Sequence, residues 1–204
     1  MKSQYNFGGS ELDVYKTQKY FLNFFAGRKN VLDLGCGRGV FMEMLKGINV
    51  KSIGVDNSDE SIKCCKEKNL NVYKSNIVDF LNKNKNKFDG IFLGHIIEHF
   101  SVNDAKHLLH SCYNSLSDEG VLGIITPNSA SFQVMSEIFW LDPTHVRPYP
   151  LLLLSDLLKE QGFKIVDSCS LISANSIYDY LKRSFESIIN LKITGINSYI
   201  VAKK

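Results

Sequence analysis

The run Val31-Leu32-Asp33-Leu34-Gly35-Cys36-Gly37-Arg38-Gly39 constrains this chain more than any other stretch: a short apolar segment stops at glycines spaced two apart. Glycine takes positive φ without a Cβ penalty and lets backbone approach a ligand. An apolar strand opening into such a turn ahead of a helix therefore reads as the first unit of a doubly wound α/β sheet with a nucleotide-binding turn. A second apolar strand, Ser52-Ile53-Gly54-Val55-Asp56, ends in an acid about 20 residues downstream, where a carboxylate meets ribose hydroxyls. The dehydrogenase version of the turn needs a further glycine at position 40, where this chain has Val40. A pyrophosphate is poorly served, and Asp33 inside the first strand points to a different ligand.

The rest of the chain supports one α/β domain. Its 204 residues are enough for a full core. Apolar runs near 30–34, 51–55, 71–74, 88–94, 120–126, 163–169 and 197–203 read as seven strands, and amphipathic stretches alternate with them. That alternation predicts a Rossmann-like, mostly parallel sheet with helices on both faces. Val102, Ala105, Leu108, Leu109, Cys112, Tyr113 and Leu116 recur at helical spacing behind Ser101 as N-cap, which turns His107 and His110 to solvent. Leu151 to Glu160 reads as another helix, closed by Gly162. The polar run Asn82 to Lys87 reads as a solvated turn.

Three segments do not build the sheet. Residues 1–29, with Tyr15, Tyr20, Phe21, Phe24 and Phe25, read as a helical cap across the cofactor cleft, with the three phenylalanines in the core. Residues 128–150 carry Phe132, Met135, Phe139, Trp140 and three of the four prolines. They leave the carboxyl end of a parallel strand, where this fold places its ligands, so they are expected to wall the acceptor site. In 171–196, Ile177, Tyr180, Leu181, Phe185 and Ile188 have helical spacing, fitting either a pocket cap or a homodimer contact.

Composition removes several function classes. The net charge of +3 is small and dispersed, which argues against a phosphate-tracking nucleic-acid surface. Five cysteines without Cys-x-x-Cys spacing fit a reduced cytoplasmic protein better than a disulfide framework, and Cys36 reads as a small packing residue. No signal peptide and no apolar run of about 20 residues are seen, so a soluble protein is expected.

The chain resembles the class I S-adenosylmethionine-dependent methyltransferases, whose first motif reads as Val31 to Gly39 does here. The resemblance continues through Phe7-Gly8-Gly9-Ser10, Ile96-Ile97-Glu98-His99-Phe100, Thr126-Pro127-Asn128 and Asp142-Pro143-Thr144-His145-Val146-Arg147-Pro148. Together these are most similar to the methyltransferase domains of bacterial O-antigen and capsule biosynthesis. Relatives commonly carry arginine where this chain has Gly8. The resemblance implies S-adenosylmethionine as cofactor. Gly35, Cys36 and Gly37 would cradle the methionine moiety, Asp33 would organise that loop and the ammonium group, and Asp56 with Asn57 would take the ribose. Asn76 and Ile77 would meet adenine, and Gly94 and His95 would lie beneath the sulfur.

On the acceptor side, His99, His145 and Arg147 are the expected catalytic groups, as base or anion clamp, with Trp140, His145, Arg147 and Tyr149 contacting substrate. His95, Glu98, His99 and His145 form an alternative divalent metal set, disfavoured because His95 stands where metal-dependent relatives have a glutamate. The expected function is O-methylation of a surface-polysaccharide precursor, free or nucleotide-linked, at a sugar hydroxyl or a phosphate-type oxygen. The alternatives are a quinone or other small-molecule O-methyltransferase, and a cofactor-binding subunit without its own catalysis.

Overall fold

A computed structural model describes residues 9–171 and 196–204. Seven strands form one sheet in the order β3-β2-β1-β4-β5-β7-β6. They are β1 (Val31–Leu34), β2 (Ser52–Asp56), β3 (Val72–Lys74), β4 (Phe88–Gly94), β5 (Leu116–Pro127), β6 (Lys164–Leu171) and β7 (Asn197–Lys203). The first five run parallel, while β7 pairs antiparallel with both β5 and β6. The expected segments therefore become strands, with one difference in extent. β5 starts at Leu116 rather than near 120, because Leu116 pairs with Phe88 across an irregularity in register that the polar Ser117-Asp118-Glu119 stretch does not advertise.

Strand order reverses between β1 and β4, and at such a switch point the loops leaving the two strands diverge and open a crevice. Helices α3 (Val40–Gly47), α4 (Asp59–Glu67), α5 (Ile77–Asn82), α6 (Val102–Ser115) and α8 (Leu151–Glu160) connect the strands. Both α6 and α8 occur where apolar periodicity places them; Ser101 accepts the Asp104 N–H at the start of α6, and Gly162 at φ +97° follows the end of α8. His107 and His110 are exposed.

The N-terminal cap is broken into α1 (Glu11–Gln18), a single 3₁₀ turn (Lys19–Phe21) and α2 (Leu22–Phe25). Ser10 and Asp13 form a capping box at its start. Phe21 and Phe25 are fully buried against Phe92 of β4. Their rings lie where a Cβ on Gly123 or Gly90 would sit, so those glycines are what let the cap lie flat on the sheet. Burying two phenylalanines contributes roughly 1.5–3 kcal/mol each. Polar ties add direction: the Tyr20 hydroxyl reaches Asp167 of β6 at 2.7 Å and the Tyr199 hydroxyl of β7 at 2.8 Å. Residues 172–195, with Ile177, Tyr180, Leu181, Phe185 and Ile188, and residues 1–8, with Phe7 and Gly8, lie outside the described residues.

Candidate active site

The turn after β1 is tied to β2 through the backbone. Gly35 and Cys36 both donate to the Val55 carbonyl, at 2.7 and 3.2 Å. Gly35 has φ +68°, and a Cβ there would overlap the side chain of Ile96, which follows β4. Gly37, at φ +51°, differs: a Cβ there would have no atom within 4 Å, so this glycine faces open space. Its N–H donates to Asp56 Oδ2 at 2.9 Å, while Asp56 Oδ1 accepts the Ser58 N–H at the same distance. One carboxylate thus joins the ends of β1 and β2, and its remaining lone pairs are available to a ligand.

Asp33 behaves otherwise than as an organiser of this loop. It is only 3% exposed, and none of the described residues hydrogen-bonds to its carboxyl. Burial, then the charges of Cys65 and Asp56, push its pKa well above the carboxylate range. A cationic ligand group is the natural partner for such an acid. Asn57 is exposed beside Asp56. Asn76 is the N-cap of α5, its Oδ1 accepting the Val78 and Asp79 N–H groups, and half-buried Ile77 begins that helix.

β4 ends at Gly94, where a Cβ would lie 3.0 Å from Gln18 Nε2, so α1 closes over this strand end. His95 follows in the left-handed region at φ +57°, held by its N–H on the Ile125 carbonyl and by Nδ1 at 3.1 Å from Glu98 Oε1. Non-glycine residues adopt that conformation only where surrounding contacts impose it.

Glu98 is fully buried and joins three elements. Its Oε1 meets His95, its Oε2 accepts the Thr126 hydroxyl at 3.1 Å, and its backbone carbonyl accepts the N–H groups of Val146 and Arg147 at 2.9 and 3.2 Å. The acceptor-side segment is fastened to the end of β4 through that carbonyl. His99 Nδ1 lies 3.2 Å from the Thr144 carbonyl, and His145 Nδ1 lies 2.6 Å from the Phe139 carbonyl. The Thr144 hydroxyl, which donates to Asp142 Oδ1, lies 3.0 Å from the same His99 Nδ1; carbonyls only accept, so the tautomer that satisfies these contacts carries its proton on Nδ1 and presents a bare Nε2. The two rings are 4.8 Å apart, and the ligand-capable atoms of Glu98, His99 and His145 all lie within 4.8 Å of one another. His95 falls outside that group. Asp142 supports the corner: burial raises its pKa, but two hydrogen bonds from Thr144 outweigh this and hold it below the usual value.

Residues 128–150 contain α7 (Phe132–Ser136) and a 3₁₀ turn (Ile138–Leu141). Trp140 is 59% exposed, and its indole N–H donates to the Met135 carbonyl. Tyr149 corrects the expectation of a substrate contact. It is fully buried in the core under α8, its hydroxyl donates to the Phe100 carbonyl at 2.9 Å, and burial pushes its pKa up to about 12. Phe139 is buried too, behind His145. Tyr149 instead supports Arg147, whose guanidinium carbon lies 5.3 Å from its ring centre. Sequence reasoning missed Thr126 and Gln18. The Thr-Pro-Asn string marks the first, whereas nothing local marks Gln18, which reaches the site only through tertiary packing.

A methyltransferase-domain profile matches residues 14–168. The chain is 31% identical over 110 residues to the ubiquinone biosynthesis O-methyltransferase of Glaesserella parasuis, covering 49% of this chain and 46% of that protein. It is 29% identical over 107 residues to the mitochondrial ubiquinone biosynthesis O-methyltransferase of Rattus norvegicus, covering 48% and 30%. The matches thus span less than half the length of these curated relatives. A crystal structure of a SAM-dependent methyltransferase from Archaeoglobus fulgidus superposes with a TM-score of 0.81 at 29% identity, covering 98% of this chain and 96% of that one. A glycine turn with one open face, a carboxylate joining β1 to β2 and a buried acid with no hydrogen-bond partner among the described residues suit such a cofactor, and the chain belongs to the methyltransferase domain family.

Proposed function

We propose that this protein is an O-methyltransferase whose acceptor is a small hydroxylated ring of the quinone-precursor type. The observation that carries the reading is the pair of imidazoles, His99 and His145, each turned by a backbone carbonyl so that Nε2 is basic, beside the strand ends that bear the cofactor loop. The names of the curated relatives favour a phenolic acceptor.

Bound S-adenosylmethionine supplies an electrophilic methyl group on sulfur. In this reading Gly35, Cys36 and Gly37 take the methionine moiety, with Asp33 toward its ammonium group. Asp56 and Asn57 take the ribose, Asn76 and Ile77 the adenine edge, and Gly94 and His95 form the floor. Transfer is an in-line displacement, so holding donor and acceptor in line is the larger part of catalysis. A hydroxyl becomes a competent nucleophile as its proton leaves, and the bare Nε2 of His145 or His99 accepts it, a contribution of about 10²–10⁴-fold. Arg147 and Trp140 contact the acceptor, and Glu98 fixes the loop that carries His145 and Arg147.

Two specific observations favour other readings. The Asp142–Pro148 string with Arg147 favours a sugar or phosphate acceptor of surface-polysaccharide type. The spacing of Glu98, His99 and His145 suits a divalent ion, and each imidazole already donates Nδ1–H to a carbonyl as metal-bound histidines do. The base reading stands ahead because both Glu98 oxygens already hold His95 and Thr126.

The test is methyl transfer, followed by mass spectrometry, to catechol, a nucleotide-linked hexose and a hexose phosphate, before and after exhaustive chelation. Transfer to catechol that survives chelation is expected. Transfer only to the sugars replaces the acceptor class, chelator-dependent loss restored by a divalent ion replaces the base, and cofactor binding without any transfer supports a non-catalytic subunit.

A further inference from the structure

Gln18, the last residue of α1, is brought to the sheet by its own helical turn. Phe21 lies three residues on, shares that face of the turn, and is pinned on Phe92 of β4. Gly94, two residues past Phe92, presents the same face of the sheet, and Gln18 Nε2 lies 3.0 Å from where a Cβ on it would be. The other end of the amide has no such contact. Gln18 Oε1 is buried and hydrogen-bonds to none of the described residues. Leaving a buried acceptor unpaired is costly, and a donor brought by a ligand removes that cost.

Asp33 lies on the same face of the sheet. It stands opposite Phe92 in the register of β1 with β4, and Val31, two residues before it, packs into the cluster under the cap with Phe21 and Phe25. Two acceptors, one a carboxyl and one an amide oxygen, therefore occupy one face near the ends of adjacent strands, where the crevice opens. In the cofactor placement proposed above, Asp56 at the end of β2 takes the ribose hydroxyls, and β1 separates β2 from β4. The donor left for the β4 side is the ammonium group of the methionine moiety, whose three N–H bonds call for more than one acceptor.

Resting on that placement, we propose that Gln18 is a cofactor-binding residue whose Oε1 accepts an N–H of this ammonium group beside Asp33, so that α1 docks on the sheet through the ligand. The rest of α1 is held by weaker means. It buries no residue fully, and Val14 packs only partly against the cap cluster. At its start Lys68 reaches Glu11 and Glu43 at 2.8 Å each, and Arg38 of the cofactor turn donates to the Gly9 carbonyl at 2.8 Å. Exposed ion pairs contribute little. A bond at Gln18 secures the end of α1 that faces the crevice, and docked α1 tightens ligand binding by the same factor.

The experiment titrates the full chain by calorimetry with S-adenosylhomocysteine and with methylthioadenosine, which keeps adenosine and sulfur but lacks the amino-acid end, and follows hydrogen exchange over Glu11–Gln18. Gln18→Met, which keeps the length but not the amide, should bind S-adenosylhomocysteine on the order of tenfold more weakly and methylthioadenosine as wild type does. Gln18→Glu, whose carboxylate also accepts from an ammonium group, should keep S-adenosylhomocysteine binding. In wild type, S-adenosylhomocysteine should slow exchange over α1 and methylthioadenosine should not. Unchanged affinity in Gln18→Met, equal losses for both ligands, a loss in Gln18→Glu as large as in Gln18→Met, or exchange that responds equally to both ligands overturns the proposal. Asp56→Ala separates this from failure of the cofactor placement. If it weakens both ligands while Gln18→Met weakens neither, Gln18 alone leaves the site; if it weakens neither ligand, the placement itself fails and the proposal with it. The wild-type exchange comparison decides even if a Gln18 variant fails to fold.

Discussion

Replacing Gly35 and Gly37 separately with alanine separates what holds the cofactor turn from what the turn holds. Both glycines have positive φ, +68° and +51°, so each alanine incurs a left-handed backbone cost of about 1–2 kcal/mol. That cost is common to both variants and cancels in their difference. The surroundings differ. At Gly35 the new methyl overlaps Ile96, whose Cγ1 lies 2.8 Å away, and Ile96 sits between Gly35 and the core. Overpacking of this kind costs typically 1–3 kcal/mol. At Gly37 the methyl meets nothing within 4 Å and stands in the space assigned above to cofactor. Gly35→Ala should therefore melt lower than Gly37→Ala by about 2–12 °C, at roughly 2–4 °C per kcal/mol for a chain this long. Calorimetric titration of S-adenosylhomocysteine into Gly37→Ala should show binding weakened at least as much as in Gly35→Ala, despite the smaller loss of stability. Equal melting temperatures, or unimpaired ligand binding by Gly37→Ala, would overturn this division of roles.

The remaining predictions concern charge. Asp33 has its pKa raised in the folded state, so its contribution to stability is complete below the unfolded value near 3.9 and is lost as pH rises through the folded value. Asp33→Asn, which stays neutral, should gain in melting temperature over wild type as pH goes from 5 to 8 while binding cofactor more weakly; a gap that shrinks with pH contradicts this. Arg147→Lys should lower kcat/KM more on a phosphorylated acceptor than on a neutral one, because lysine keeps the charge but loses the planar fork. Full activity of Arg147→Ala on every acceptor would remove this loop from the substrate site.

Most of the fold is legible in the sequence because its signals are local. Apolar runs that stop at Gly35, Asp56 and Gly94 give three strand ends, and the periodicity of α6 and α8 gives their buried faces. The site is legible only where residues act near their own position in sequence. Asp56 is expected to face ligand, yet it also ties Gly37 to Ser58, a bond that depends on β1 and β2 lying side by side. Tyr149 reads as a substrate contact because it lies in the 128–150 segment expected to wall the acceptor site. Its position is set instead by Phe100, 49 residues away, whose carbonyl takes its hydroxyl into the core. The Tyr20, Asp167 and Tyr199 contacts span up to 179 residues, and no sequence pattern encodes such a meeting.

Whether the glycine turn and Asp56 together hold the adenosyl cofactor is decided by calorimetric titration of S-adenosylhomocysteine into wild type and a folded Asp56→Ala variant. Charge-assisted hydrogen bonds contribute about 1.5–3 kcal/mol, so the variant should bind on the order of tenfold to a hundredfold more weakly, with melting lowered by loss of the Gly37 and Ser58 contacts. Equal affinity in a folded variant, or preference of the wild type for a nicotinamide dinucleotide, would remove Asp56 and the turn from the cofactor site.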